Sequence, residues 1–195
     1  KVGVGIGFAV STYGADHMTA AHDPMLCDEN SFSFKSVKAL GIDKAMSATE
    51  ITSEKIQSYM QLEKLWRMMD ALGLCVFGYA PRGVIPLDVM VQSLNAITGW
   101  NTDLDELLTA AERGSMLARA FNSREGFTIK DDRLPKRLFS PKPDGPGAGK
   151  KIFEEDAFNK AIALYYEMID CDSETGRPRH EKLIALGLDW LEELL

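Results

Sequence analysis

The sequence predicts an all-α fold, an irregular multi-helix domain with one long functional loop. Two observations point there. Apolar residues recur mainly at spacings of three and four, while the strict alternation of a half-buried strand is scarce. The periodic runs are also bracketed by helix punctuation, with Thr or Pro at their starts and Gly at their ends. At 195 residues, 45% of them hydrophobic and 26% charged, the chain has material for one good core or two small ones.

Residues 1–50 read as irregular structure and short helices around the turn "GADH". The opening "KVGVGIGFAV" lacks an initiator methionine and resembles mid-domain sequence, so a processed piece or the tail of a longer polypeptide is expected. Its glycines give G-x-G-x-G without a following βαβ unit, and "DGPGAGKK" matches a phosphate loop only in composition; nucleotide binding is not expected from either. Residues 51–122 carry helices. The first begins after Thr52 and presents Ile56, Met60, Leu65, Trp66, Met69 and Leu72 on one face before Gly73 stops it. A second starts with Pro86 at its first helical position and stops at Gly99. A third has Asp103, Asp105 and Glu106 where the macrodipole favours acids, with Gly114 as a point of bending or division.

Residues 123–151 show no convincing periodicity and read as a loop, patterned in charge at first and spacer-like over "SPKPDGPGAGKK". Helix returns over 153–170 through Phe158, Ala161, Ile162, Tyr165 and Met168, and residues to 195 give two short terminal helices around Gly187. Trp66, Phe77, Trp100 and Tyr165 read as core.

The net charge of -7 argues against a nucleic-acid partner, which needs a basic patch to neutralise phosphates. No apolar run approaches the roughly 20 residues of a membrane span, and a cytoplasmic location is expected. Cys27, Cys75 and Cys171 form no C-x-x-C pair, so any metal they bind must take its other ligands from elsewhere. His17 and His22 are five apart and do not stack as zinc ligands on one helix face. By pattern alone His17 is a partly buried, hydrogen-bonded residue of its turn, and His180 a solvated or capping one.

The decisive stretch is "DALGLC", Asp70–Cys75. Free cysteines are usually buried filler. Here Gly73 breaks the helix and permits close backbone approach, freeing amides from Leu74 onward, while Asp70 one turn back can accept hydrogen bonds from a ligand. Acceptor, backbone and thiolate would face one object. Asp131, Asp132, Arg124 and Lys130 in the loop read first as a salt-bridged anchor.

These residues resemble a known family. "DALGLC" is similar to the second Asp-x-x-Gly-Leu-Cys pterin-binding motif of the tungsten-containing aldehyde ferredoxin oxidoreductases. "NSREGFTIKDDRLPKRL" at Asn122–Leu138, "STYGADHM" at Ser11–Met18 and "DSETGRPRHEKLIALGL" at Asp172–Leu188 resemble three further family segments in the same order. The resemblance implies the C-terminal helical part of an enzyme that oxidises aldehydes at a tungsten, or molybdenum, bis-pterin centre and passes electrons through a [4Fe-4S] cluster to ferredoxin. By similarity His17 would be catalytic, Gly14, Asp70, Gly73, Leu74 and Cys75 would bind cofactor, and Cys75 would ligate the cluster. The N-terminal domains or a companion subunit would supply the rest, a homo-oligomer is admissible, and the chain alone is expected to be inactive. Tyr13 and Ile129 stand where the family pattern has Arg, and Thr19 where a basic residue would follow. The competing expectation is a stand-alone helical interaction or scaffold domain without cofactor.

Overall fold

The computed structural model describes residues 1–20 and 22–195. Seven helices organise them: α1 (Val2–Val10), α2 (Phe32–Val37), α3 (Ser53–Ala71), α4 (Leu87–Thr98), α5 (Leu104–Arg124), α6 (Glu155–Met168) and α7 (His180–Ala185). Single-turn 3-10 segments lie at Asp23–Leu26, Lys38–Leu40 and Lys136–Phe139, and a longer one closes the chain at Asp189–Leu194. Among the described residues there is no strand, only the isolated bridges Tyr79–Ile85 and Cys171–Pro178.

The central element is α3. The Thr52 hydroxyl accepts from the amide of Lys55 at 3.2 Å and starts it. Gly73, at φ 67, ends it. Its periodicity predicts one buried face, yet Ile56, Tyr59, Met60, Leu62, Leu65, Trp66, Met68 and Met69 are all buried, because α1, α5 and α6 pack around it. Two hydrophobic clusters share this helix. Ile56, Tyr59 and Met60 join α1, α6 and the C-terminal segment. Leu62 through Met69 join α2, α4 and the first turns of α5.

The glycine-rich opening, within the stretch expected to mix irregular structure and short helices, is a buried helix. Poor helix formers are kept there by fit: a Cβ on Gly5 would lie 2.9 Å from the Phe153 ring, and one on Gly7 3.1 Å from Tyr59. The helix also has a tertiary cap. The Asp23 carboxylate accepts from the amides of Gly3 (2.9 Å) and Val4 (3.1 Å), and Lys55 Nζ meets it at 3.0 Å in an almost wholly buried ion pair.

Elsewhere the boundaries shift by a residue or two. Pro86 is the N-cap of α4 instead of its first residue, α6 starts after Phe153, which instead packs in the core, and α5 passes Gly114 undivided. Asp103 caps α5 by accepting from the Glu106 amide at 2.8 Å. Phe77 and Trp100 are corrections to the expected core: they are 64% and 59% exposed, whereas Trp66 and Tyr165 are buried. Both misplaced aromatics follow a helix stop, outside the periodic run that packs. No helix among the described residues is long and apolar enough to cross a membrane.

Candidate functional site

The stop of α3 fixes the thiol. The amides of Leu72, Gly73 and Leu74 donate to Met68, Asp70 and Met69 carbonyls at 3.0, 3.1 and 2.8 Å, a closed C-terminal cap. The expectation that the Leu74 amide is free is therefore corrected: the cap consumes it, leaving the carbonyl as what Leu74 can offer. Leu74 packs partly, and Val76 fully, against the cluster around Trp66. With its two neighbours drawn inward, Cys75 is exposed, and its sulfur is not core filler.

Beyond it the chain folds back tightly. Gly78 donates to the Cys75 carbonyl at 2.9 Å, Ile85 to the Gly78 carbonyl at 3.0 Å and Ala80 to the Ile85 carbonyl at 2.8 Å. A Cβ on Gly83 would overlap the Gly78 backbone, so this closure requires glycine.

Asp70 is about half exposed, with Arg67 one turn back at 4.0 Å. Partial burial raises its pKa, Arg67 pulls it down and Asp16 pushes it up. Asp16 belongs to the "GADH" turn, and the Arg67 guanidinium lies 4.3 Å from the Tyr13 ring centroid. Arg82, from the loop after Cys75, reaches the Met18 sulfur at 3.5 Å and covers the Phe77 ring at 4.8 Å. Two arginines thus tie the turn carrying His17 to the segment carrying Asp70 and Cys75.

Gly14 turns the chain at φ 96, with nothing within 4 Å of a Cβ built on it. The His17 ring is 66% exposed, and its nearest charged group is Asp16, 3.8 Å away, so the partly buried, hydrogen-bonded reading of this side chain is corrected. Its carbonyl meets His22 Nε2 at 2.9 Å.

The expected salt-bridged anchor is met by Asp132, which alone of the four charged loop residues pairs with another element; Lys130 makes no ion pair among the described residues. Asp131 accepts from the Thr128 amide at 2.9 Å, Asp132 accepts from the Tyr166 hydroxyl and lies 3.8 Å from Arg119, and Arg124 pairs with its neighbour Glu125 at 2.9 Å. Burial raises the Asp132 pKa, against the Tyr166 hydroxyl and Arg119. Between this loop and the Ser11–Ala15 stem lies a cleft of about 610 Å³. Sequence reasoning missed Arg67, Arg82 and Arg119. Of these, only Arg67 leaves a local signal, three residues before Asp70.

Among the described residues no three His, Cys, Asp or Glu side chains converge as a metal site. An exposed thiol flanked by anchored neighbours suits one ligand of a larger site. A family model described as aldehyde ferredoxin oxidoreductase, domains 2 and 3, matches residues 1–188. The chain belongs to this family.

Within the aldehyde ferredoxin oxidoreductase family, the chain is 31% identical over 189 residues to a tungsten-containing aldehyde ferredoxin oxidoreductase of Pyrococcus horikoshii, covering 96% of this chain and 28% of that protein. One from Thermococcus kodakarensis is 30% identical over 188 residues, covering 95% and 28%. An aliphatic sulfonate oxidoreductase subunit of Pyrococcus furiosus is 27% identical over 189 residues, covering 94% and 24%. The chain thus spans about a quarter of the length of these relatives.

Proposed function

We propose that this chain is the C-terminal helical part of a tungsten-dependent aldehyde oxidoreductase, and that Cys75 is a ligand of its [4Fe-4S] cluster. The observation that carries the reading is the exposed Cys75 thiol, held just beyond the α3 cap between the inward-facing Leu74 and Val76. Iron–sulfur clusters require thiolate ligands, and their potentials respond to burial and to hydrogen bonds at sulfur. The remaining cluster ligands and most pterin contacts come from the part of the polypeptide, or the companion subunit, that this chain does not include.

When bound, the tungsten (or molybdenum) bis-pterin supplies the two-electron oxidation of an aldehyde and water to a carboxylate, with the electrons leaving through the cluster to ferredoxin. The residues of this chain hold and orient. Asp70, half exposed and charge-balanced by Arg67, accepts hydrogen bonds from pterin ring N–H groups. Gly73 and Leu74 bring backbone close, Leu74 through its carbonyl. Gly14 leaves room beside the turn, and the exposed His17 imidazole takes up or gives a proton where substrate oxygen changes its protonation. Arg67, stacked on Tyr13, returns a cation to the position that the turn's own sequence lacks. Aldehyde as substrate follows the family description and the relatives near 30% identity; a cytoplasmic location accords with ferredoxin as acceptor.

The test is Cys75→Ser in the full-length enzyme, read by iron content and low-temperature electron paramagnetic resonance. Loss of one iron per cluster, or of the whole cluster, is expected, with Cys27→Ser unchanged. A four-iron cluster intact in the Cys75 variant would overturn the ligand assignment.

A further inference from the structure

We infer that Arg119 and Asn122 of α5 are positioning residues for the "GADH" turn, acting on His17 through the stem that they hold. Two side chains one turn apart on α5 reach the stem of the turn. Arg119 Nη2 donates to the Val10 carbonyl at 3.0 Å, and Asn122 Nδ2 donates to the Thr12 carbonyl at 2.6 Å. Val10 ends α1 and Thr12 opens the turn, so the two bonds grip the chain on both sides of Ser11.

Arg119 is itself held from three directions. Its Nη1 donates to the Tyr166 hydroxyl at 2.5 Å, its Nη2 also meets the Tyr165 hydroxyl at 3.3 Å, and Asp132 stands 3.8 Å from it. Tyr166 in turn donates to Asp132, and Tyr165 donates to Glu63 of α3 at 2.7 Å. A guanidinium this buried has few alternative rotamers once its partners are fixed, so the α1 terminus inherits the rigidity of α3, α5 and α6. Beyond the bonds from Arg119 and Asn122 the turn is tied through side chains, by Arg67 against the Tyr13 ring and Arg82 at the Met18 sulfur. Its own bonds, Gly14 to Ser11 and Thr19 to Asp16, are local and set its shape, not its place. The "NSREGF" end of α5 and the "DDRLP" part of the loop thereby share one role, since Asn122 holds the stem directly and Asp132 does so through Tyr166 and Arg119.

The inference rests on His17 being the proton-handling group, but its test needs no metal. In the 195-residue chain, Asn122→Ala is expected to speed amide hydrogen exchange within residues 12–18, where Gly14 and Met18 carry the bonded amides, by about tenfold, the effect of one lost hydrogen bond. The His17 ring signals should shift and broaden while the protected amides of α3 keep their rates. Asn95→Ala is the control. Asn95 makes the same kind of bond, Nδ2 to the Thr102 carbonyl at 2.8 Å, within the connection from α4 to α5, and its loss should leave residues 12–18 and His17 unmoved. Should Asn122→Ala misfold, Asn122→Asp keeps the shape, removes the donor and carries the same expectation, and Arg119→Lys adds a second grip to test. Unchanged exchange at 12–18, or an equal rise in the Asn95 variant, overturns the inference. Neither result bears on cluster content in the Cys75 variant, so the two readings fail separately.

Discussion

Three cysteines of one chain differ in what surrounds their sulfur. Cys171 is buried, its thiol pushed up to about 11 by burial, while Cys75 and Cys27 are exposed. Alkylation at pH 8 without denaturant should therefore label Cys75 and Cys27 and spare Cys171 until the protein unfolds, a pattern peptide mass spectrometry reads directly. Gly83→Ala is expected to disturb the Cys75 loop, because the added methyl would overlap the Gly78 backbone; faster alkylation of Cys75 with Cys27 unchanged would register it. At this scale the sequence made the thiol and Asp70 legible, since both sit at a fixed offset from a helix-breaking glycine. The arginines were not: Arg82 and Arg119 act across 64 and 109 residues of chain, and no spacing rule reports a contact that only tertiary folding creates.

Helices α1 and α5 use glycine in opposite ways. Gly114 on the exposed side of α5 has nothing within 4 Å of a built Cβ, so Gly114→Ala should stabilise by about 0.5–1 kcal/mol. Gly5→Ala drives a methyl toward Phe153 and should destabilise by about 1–3 kcal/mol, both read by urea midpoints. Between α3, α5 and α7 the Glu112 carboxylate bridges Lys64 and Lys182, each at 2.6 Å. Burial pushes its pKa up, but the two lysines more than offset this and hold it below the usual 4.5. A carboxyl depressed by folding stabilises above its unfolded pKa and loses that contribution as pH falls through the folded one. Glu112→Gln should thus cost about 1–2 kcal/mol at pH 7, and the gap to the parent should close as pH falls below the unfolded value and through the lower folded one. The starts of α3, α4 and α5 were legible to within about a residue from Thr52, Pro86 and the acids from Asp103 on, and the stops of α3 and α4 from Gly73 and Gly99. Helix α1 was not, because three glycines obscure helical periodicity and its reason for folding is the carboxylate of Asp23, twenty residues away.

Over the whole molecule, exposed Phe77, Val84, Ile97, Trp100 and Trp190 leave apolar surface uncovered, and the chain spans about 28% of relatives that match it over nearly its full length. In isolation it should bind a hydrophobic dye or self-associate in sedimentation, and a monomeric, dye-silent sample would argue against further domains packing on it. The all-α class was legible from periodicity. The division of apolar residues between two clusters was not, since one amphipathic stripe does not reveal that a helix is wrapped on several sides. That wrapping has a mechanical outcome. Because α3 is the common spine of both clusters, neither half can melt while the other stays folded, and calorimetry should record one endotherm. The loop at the spine's end would then keep its geometry up to the temperature at which the entire body gives way.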